Sequence, residues 1–330
     1  MYKRKSLIII LSVIALCAIA AFFYHSTAKP SWLRKSEPVD PSVSSASGQY
    51  NTYKHLKVPT CVAKIDKTYF ISDCYHNQII YSDSLETPLT EWKIMADNIN
   101  LGHTLASDGI VYLADDTDNH SILVYEKKEE KFLLTQKFSS IGIRPHYVVY
   151  DDSTSRFYAL SSMTGEIYVF KRLENSTEVV LEEIRSMEEL SESYIRSFTI
   201  MDDEIYFVSG PNAIVRARLS DLTFLEEYPV GPELSGMVQL EKIQDWYYIT
   251  ISTDIDGNQD AATIIRTQDL HGLIDGDYED IYSLFGEGGT PYYMTTFDGH
   301  WYLTEHRKKK RGLWQFDVID NEIVNIKLLY

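Results

Sequence analysis

A short pattern recurs six times along this chain and restricts its fold more than any other feature. An apolar run leads into a tight turn; a β-rich run then ends on a polar residue, and a polar turn opens another β-rich run. The clearest copy spans Thr60 to Ser82. There Tyr69-Phe70-Ile71-Ser72 runs into Asp73, and Gln78-Ile79-Ile80-Tyr81 follows the polar turn Cys74-Tyr75-His76-Asn77. Short runs of this composition read as strands, and Asn accepts the left-handed dihedrals of such a turn. The paired runs return as Ile110–Asp115 with Ser121–Tyr125, Arg156–Ser161 with Glu166–Phe170, and Glu204–Ser209 with Ala213–Arg216. Two further copies are Trp246–Ile251 with Ala262–Arg266 and His300–Glu305 with Gly312–Phe316.

The leading apolar runs start at Thr60, His103, His146, Arg196, Gly236 and Tyr292, in steps of 43, 43, 50, 40 and 56 residues. Insertions in surface loops absorb such variation at little cost. A repeat of roughly 40–50 residues made only of strands has the period of propeller blades, not of helical solenoids. The expectation is an all-β, six-bladed β-propeller over residues 58–330. Ile71-Ser72-Asp73 with Asn77-Gln78-Ile79, and Leu113-Ala114-Asp115 with Asn119, resemble NHL-type propeller repeats, in which a strand ends in Asp and Asn precedes the next strand. The later copies lose the Asp–Asn pair, so the resemblance implies an architecture and no activity.

Ahead of the repeats, Lys3-Arg4-Lys5 precede an apolar run from Leu7 to Tyr24, which as a helix spans about 27 Å, just enough for a bilayer core. Residues 1–24 are expected to be a cytoplasmic tail and an uncleaved membrane anchor, in preference to a cleaved signal. Ser26-Thr27-Ala28 is only a passable cleavage site, and Leu16 before Cys17 speaks against lipidation. Residues 25–57, rich in Ser and Pro, read as a flexible stalk. The expected placement is a single-pass membrane protein with its propeller on the extracytoplasmic side.

A formal charge of −17 would repel a phosphate backbone, so nucleic acid is not an expected partner. Cys61 and Cys74 are expected near each other, as a disulfide or as two free thiols.

In a propeller, the start of each innermost strand and the end of the next strand gather around one channel mouth. The register brings there Thr60, His103, His146, Arg196, Gly236 and Tyr292, backed by Asp73, Asp115, Ser161, Ser209, Ser252 and Glu305. The candidate ligand-binding residues are therefore His103, His146, Arg196, Tyr292, Asp73, Asp115 and Glu305. Arg196 suits a carboxylate or phosphate, and two neighbouring His residues suit acid–base work or a divalent metal. The plain alternative is a mouth filled by polar residues that bond each other, with each Asp only holding its turn.

No HExxH or CxxC spacing, GxSxG elbow or glycine-rich phosphate loop is present, and no resident cofactor is expected. Asp254–Asp260 offers oxygens like a calcium loop, but Ile265 occupies the twelfth position, where Glu is needed; an acidic turn is the preferred reading. Asn119-His120-Ser121 and Asn175-Ser176-Thr177 fit glycosylation sequons. The basic run Glu305–Arg311 is expected on the face of the mouth, as a solvated turn or as an attractor of an anionic polymer or lipid headgroup.

The leading functional expectation is a recognition or scaffolding module that presents the mouth to an envelope glycan, peptide or protein partner. The alternative is a propeller lyase or hydrolase using His103 and His146. A third reading leaves binding to the outer blade edges.

Overall fold

Two-residue turns fold innermost strands back on their neighbours. In the first, Asp66 takes φ 54° and Ile65 pairs with Thr68. In the last, Asp298 and Gly299 both have positive φ and Phe297 pairs with His300, a combination whose twist matches that of paired strands. The computed structural model describes residues 34–37, 39, 46–191, 193–210 and 212–330.

These residues form six four-stranded antiparallel sheets, each built from four consecutive strands. Blade I holds β1 (Pro59–Ile65), β2 (Thr68–Asp73), β3 (Gln78–Ser82) and β4 (Lys93–Ala96). Blade II holds β5 (Leu105–Ser107), β6 (Val111–Asp116), β7 (Ser121–Lys128) and β8 (Lys131–Phe138). Blade III follows with β9 (Pro145–Asp151), β10 (Arg156–Ser161), β11 (Glu166–Arg172) and β12 (Val179–Arg185). In blade IV the strands are β13 (Tyr194–Met201), β14 (Glu204–Gly210), β15 (Ala213–Arg218) and β16 (Phe224–Pro229). Blade V has β17 (Met237–Ile243), β18 (Trp246–Ile251), β19 (Thr263–Thr267) and β20 (Glu279–Asp280). Blade VI ends the series with β21 (Thr290–Phe297), β22 (His300–His306), β23 (Leu313–Ile319) and β24 (Glu322–Leu328). The protein is a six-bladed β-propeller, as the repeat predicts.

Blade V departs most from the pattern. Its outer strand shrinks to two residues, and short 3-10 segments at Leu270–Asp275 and Tyr282–Phe285 fill the space instead. That insertion accounts for the longest repeat step.

Aromatic side chains fill the gaps between blades. Phe70, Tyr81, Tyr112 and Phe132 pack edge to face or tilted between blades I and II, geometries that favour aromatic pairs beyond simple area burial. Buried hydroxyls tie the blades together at the backbone. Thr60 donates to the His103 carbonyl at 2.7 Å, Ser197 to Val238 at 2.7 Å and Thr250 to Tyr292 at 2.7 Å. Thr304 donates to the Thr60 carbonyl at 3.0 Å, which joins blade VI to blade I.

The chain ahead of blade I is not free where it is described. Gly48 donates to the Ile94 carbonyl and Asn51 to that of Trp92, while Ile94 donates back to Gln49. Arg34 bridges Leu181 and Glu37 bridges Lys137. The described parts of the expected stalk thus lie along the outer edges of blades III, II and I. Their backbone satisfies edge groups that would otherwise be open to pairing.

One expectation is corrected. Residues 7–24, expected to span a membrane, lie outside the described residues. Among the described residues, which form strands and short 3-10 turns, no helix is long and apolar enough to cross a membrane. The single-pass membrane placement is therefore not supported.

Candidate functional site

Four of the expected mouth residues meet. The rings of His103 and His146 stack with centroids 3.8 Å apart, because both open the innermost region of neighbouring blades at the same register. Tyr292 reaches in from blade VI, its hydroxyl 3.2 Å from His146 Nε2. Arg196 joins from blade IV through its carbonyl, 3.1 Å from His146 Nδ1.

The hydrogen bonds fix the protonation of both rings. A carbonyl only accepts, so His146 Nδ1 carries the proton donated to Arg196, and Nε2 accepts from the Tyr292 hydroxyl. Burial, with His103 and Arg196 as further causes, holds His146 well below the ordinary histidine range, so it stays neutral. His103 Nδ1 lies 3.0 Å from Thr117 Oγ1, and its Nε2 lies 3.6 Å from Cys74 Sγ. Thr117 gives its own proton towards Asp115 or the Pro145 carbonyl. It therefore accepts from His103, leaving Nε2 to accept from the thiol. All four ring nitrogens are engaged within the protein.

Arg196 is different. Its guanidinium lies over the Tyr194 ring, 5.5 Å from the centroid, and Nη1 donates to Ser252. Among the described residues no carboxylate pairs with it, and its Nε and Nη2 have no protein acceptor. His306 completes this side, its ring 5.9 Å from Tyr292. Burial, then the charges of Arg307 and Arg196, push His306 down to about 4.

The three expected carboxylates are placed elsewhere in role. Asp73 accepts from the Lys57 and Val58 amides and pairs with His76 at 2.6 Å. Asp115 accepts from the His103 and Thr104 amides and from the Thr104 hydroxyl. Glu305 is fully buried and held by Tyr282, Arg311 and Trp314. Their oxygens are spent on turns and blade packing, so they back the mouth without facing it. Asp115 also sits one residue out of register. The counterpart of Asp73 is Asp116, which precedes the same 3-10 turn and accepts from Asn100 as Asp73 does from Lys57. A slip of one residue in a strand exchanges faces.

Cys61 and Cys74 are free thiols. Cys61 pairs across from Ser72, whereas Cys74 begins the next turn and faces His103. The Asp254–Asp260 loop spends its oxygens on itself, Asp254 accepting from the Asp256 and Asn258 amides, and Asp260 pairs with Arg307. Among the described residues no group of three His, Cys, Asp or Glu is arranged to hold a metal ion.

Below the stacked rings the channel widens into a cavity of about 430 Å³, lined by Cys61, Tyr147, Tyr293, Glu241 and Trp301 among others. Tyr293 belongs to both levels, since its hydroxyl also reaches His146 and the Arg196 carbonyl. Desolvation pushes Glu241 up to about 8, against the bond it accepts from Gln239. Glu241 lies within an innermost strand, away from the strand ends that the repeat register gathers at the mouth. The available signal was a charge at an alternate position of an innermost strand, Gln239-Leu240-Glu241.

No family model and no curated protein matches this chain. Among solved structures, a candidate 6-phosphogluconolactonase from Bacteroides fragilis superposes with a TM-score of 0.59 at 10% identity, covering 86% of this chain and 95% of its own. A second candidate 6-phosphogluconolactonase, from Bacteroides uniformis, gives 0.56 at 9% identity over 79% and 82%. Hydrazine synthase of Kuenenia stuttgartiensis gives 0.54 at 13% identity over 81% and 79%. At these identities the likeness shows the propeller fold alone.

Proposed function

We propose that the protein is a recognition module that receives a carboxylate of a glycan, peptide or protein partner on Arg196 at the channel mouth. The observation that carries this reading is the guanidinium of Arg196, held by Tyr194 and Ser252, whose Nε–Nη2 edge has no acceptor among the described residues. That edge matches a carboxylate side-on through two parallel bonds. The lyase or hydrolase alternative is weaker, because His103 and His146 offer no uncommitted nitrogen and His146 is a poor base.

A thermal-shift and calorimetric screen of uronic acids and short peptides tests the reading. A carboxylate ligand at about a hundred times its Kd would stabilise the fold by roughly 2.7 kcal/mol. Arg196→Gln is expected to abolish that gain while leaving the unliganded melting temperature nearly unchanged. Stabilisation that survives Arg196→Gln, or turnover lost in His103→Ala, would sink the proposal.

A further inference from the structure

We propose a second site, independent of Arg196: the cleft between blade VI and the segment leading into blade I binds a phosphate group. The cleft holds about 290 Å³, near the lower end of small-molecule sites. Lys54 and Lys57 line it from the lead-in, and Lys308 and Lys310 line it from the loop between β22 and β23. Lysine ion pairs among the described residues involve Lys35, Lys64, Lys93, Lys128 and Lys327, and none of these four.

The one acidic side chain of the lining is already matched. Glu305 is taken by Arg311, whose guanidinium is further pinned to the carbonyls of Phe285, Gly286 and Glu287. The Tyr330 main-chain oxygen accepts from the Gly312 and Leu313 amides. Lys308 lies across Gly288, where an added Cβ would meet its Cε and Nζ at 2.9 Å. Its position is therefore shaped by the neighbouring loop.

Four exposed lysine side chains line this cleft, the Lys57 ammonium also lying over the Tyr75 ring at 6.0 Å. Solvent screens their mutual repulsion, but like charges so placed still favour a counter-charge. A carboxylate brings one charge and two oxygens. A phosphate brings close to two charges and three strong acceptor oxygens, and lysine serves it as a point charge without fixed geometry. The stoichiometry of charge favours phosphate.

Calorimetry of the full chain at low salt, with inorganic phosphate, glycerol phosphate and acetate, provides the test. Phosphate is expected to bind one site about tenfold or more tighter than acetate, and to weaken as salt rises. Lys310→Glu and Lys308→Gln should each lower phosphate affinity about tenfold, a loss of about 1.4 kcal/mol. Lys309→Glu, on the same loop but outside the cleft, and Arg196→Gln should leave it unchanged. Circular dichroism confirms that each variant folds. Absence of phosphate binding, equal losses in Lys309→Glu and Lys310→Glu, or a loss only in Arg196→Gln would each overturn the site. So would binding to vesicles of an anionic phospholipid without binding of free phosphate.

Discussion

His103 and His146 look alike in the sequence and sit at equivalent register, yet their surroundings rather than their identity set what they do. Each is enclosed by hydrogen-bond partners that Thr117, Cys74, Tyr292 and the Arg196 carbonyl supply. That enclosure was not legible in sequence, since those partners come from four blades. What was legible was the meeting itself, which follows from equal spacing alone. Two further residues make a test by pH. His306 is lowered to about 4, so the unfolded chain holds its proton more firmly and stability rises with pH up to about 6.5. Glu241 is raised to about 8, so the folded chain keeps a proton that the unfolded chain has lost, and stability falls towards pH 8. Between pH 6.5 and 8 the Glu241 effect stands clear of the histidine effect. The melting temperature should decline across that window in the wild type and stay level in Glu241→Gln. An equal decline in both would remove Glu241 as the cause.

Strands and their turns were the most legible level of this protein. Alternation, an Asp before a tight turn and Asn77 after the next one suffice to set β1 to β3, and the structure gives Asn77 a φ of 53°. At the second NHL-like copy the register is shifted by one residue at the adjacent pair Asp115-Asp116, where either residue satisfies the pattern and only the bond to Asn100 decides. The backbone pairing of the described lead-in residues is not legible in the sequence for another reason. Ser- and Pro-rich composition reports the lack of a periodic apolar face, but the lead-in pairs through its backbone, which composition does not encode. Its contact with β4 has a measurable consequence. Deleting residues 1–51 removes the amides and carbonyls that meet Trp92 and Ile94, together with the Asn51 amide bond to the Leu89 carbonyl. The bared strand edge should lower the melting temperature and promote self-association, seen as concentration-dependent growth in light scattering. A monomer of unchanged stability would show the lead-in to be an ornament of the edge.

Taken whole, the ring has one joint unlike the other five. The chain itself crosses from each blade to the next, but blade VI and blade I share no covalent connection, because every blade is four consecutive strands. Side chains do the joining: Lys64 with Asp298, Thr304 with the Thr60 carbonyl, and above all Tyr330. The Tyr330 hydroxyl reaches the Leu85 and Thr87 carbonyls, and its ring meets Trp92 edge-on. Tyr330→Phe should cost about 1–3 kcal/mol, the range for leaving a buried carbonyl without a donor, here that of Leu85, since the Thr87 carbonyl keeps the Trp92 indole. Urea denaturation reads it, and no loss would assign closure to the other contacts. The lysine cleft straddles this same joint, with two of its lysines on each side. Mutual repulsion there presses apart the halves that Tyr330 draws together. An occupant bearing two negative charges would act as a rivet, and the force needed to unclasp the toroid would then report how much of that occupant surrounds it.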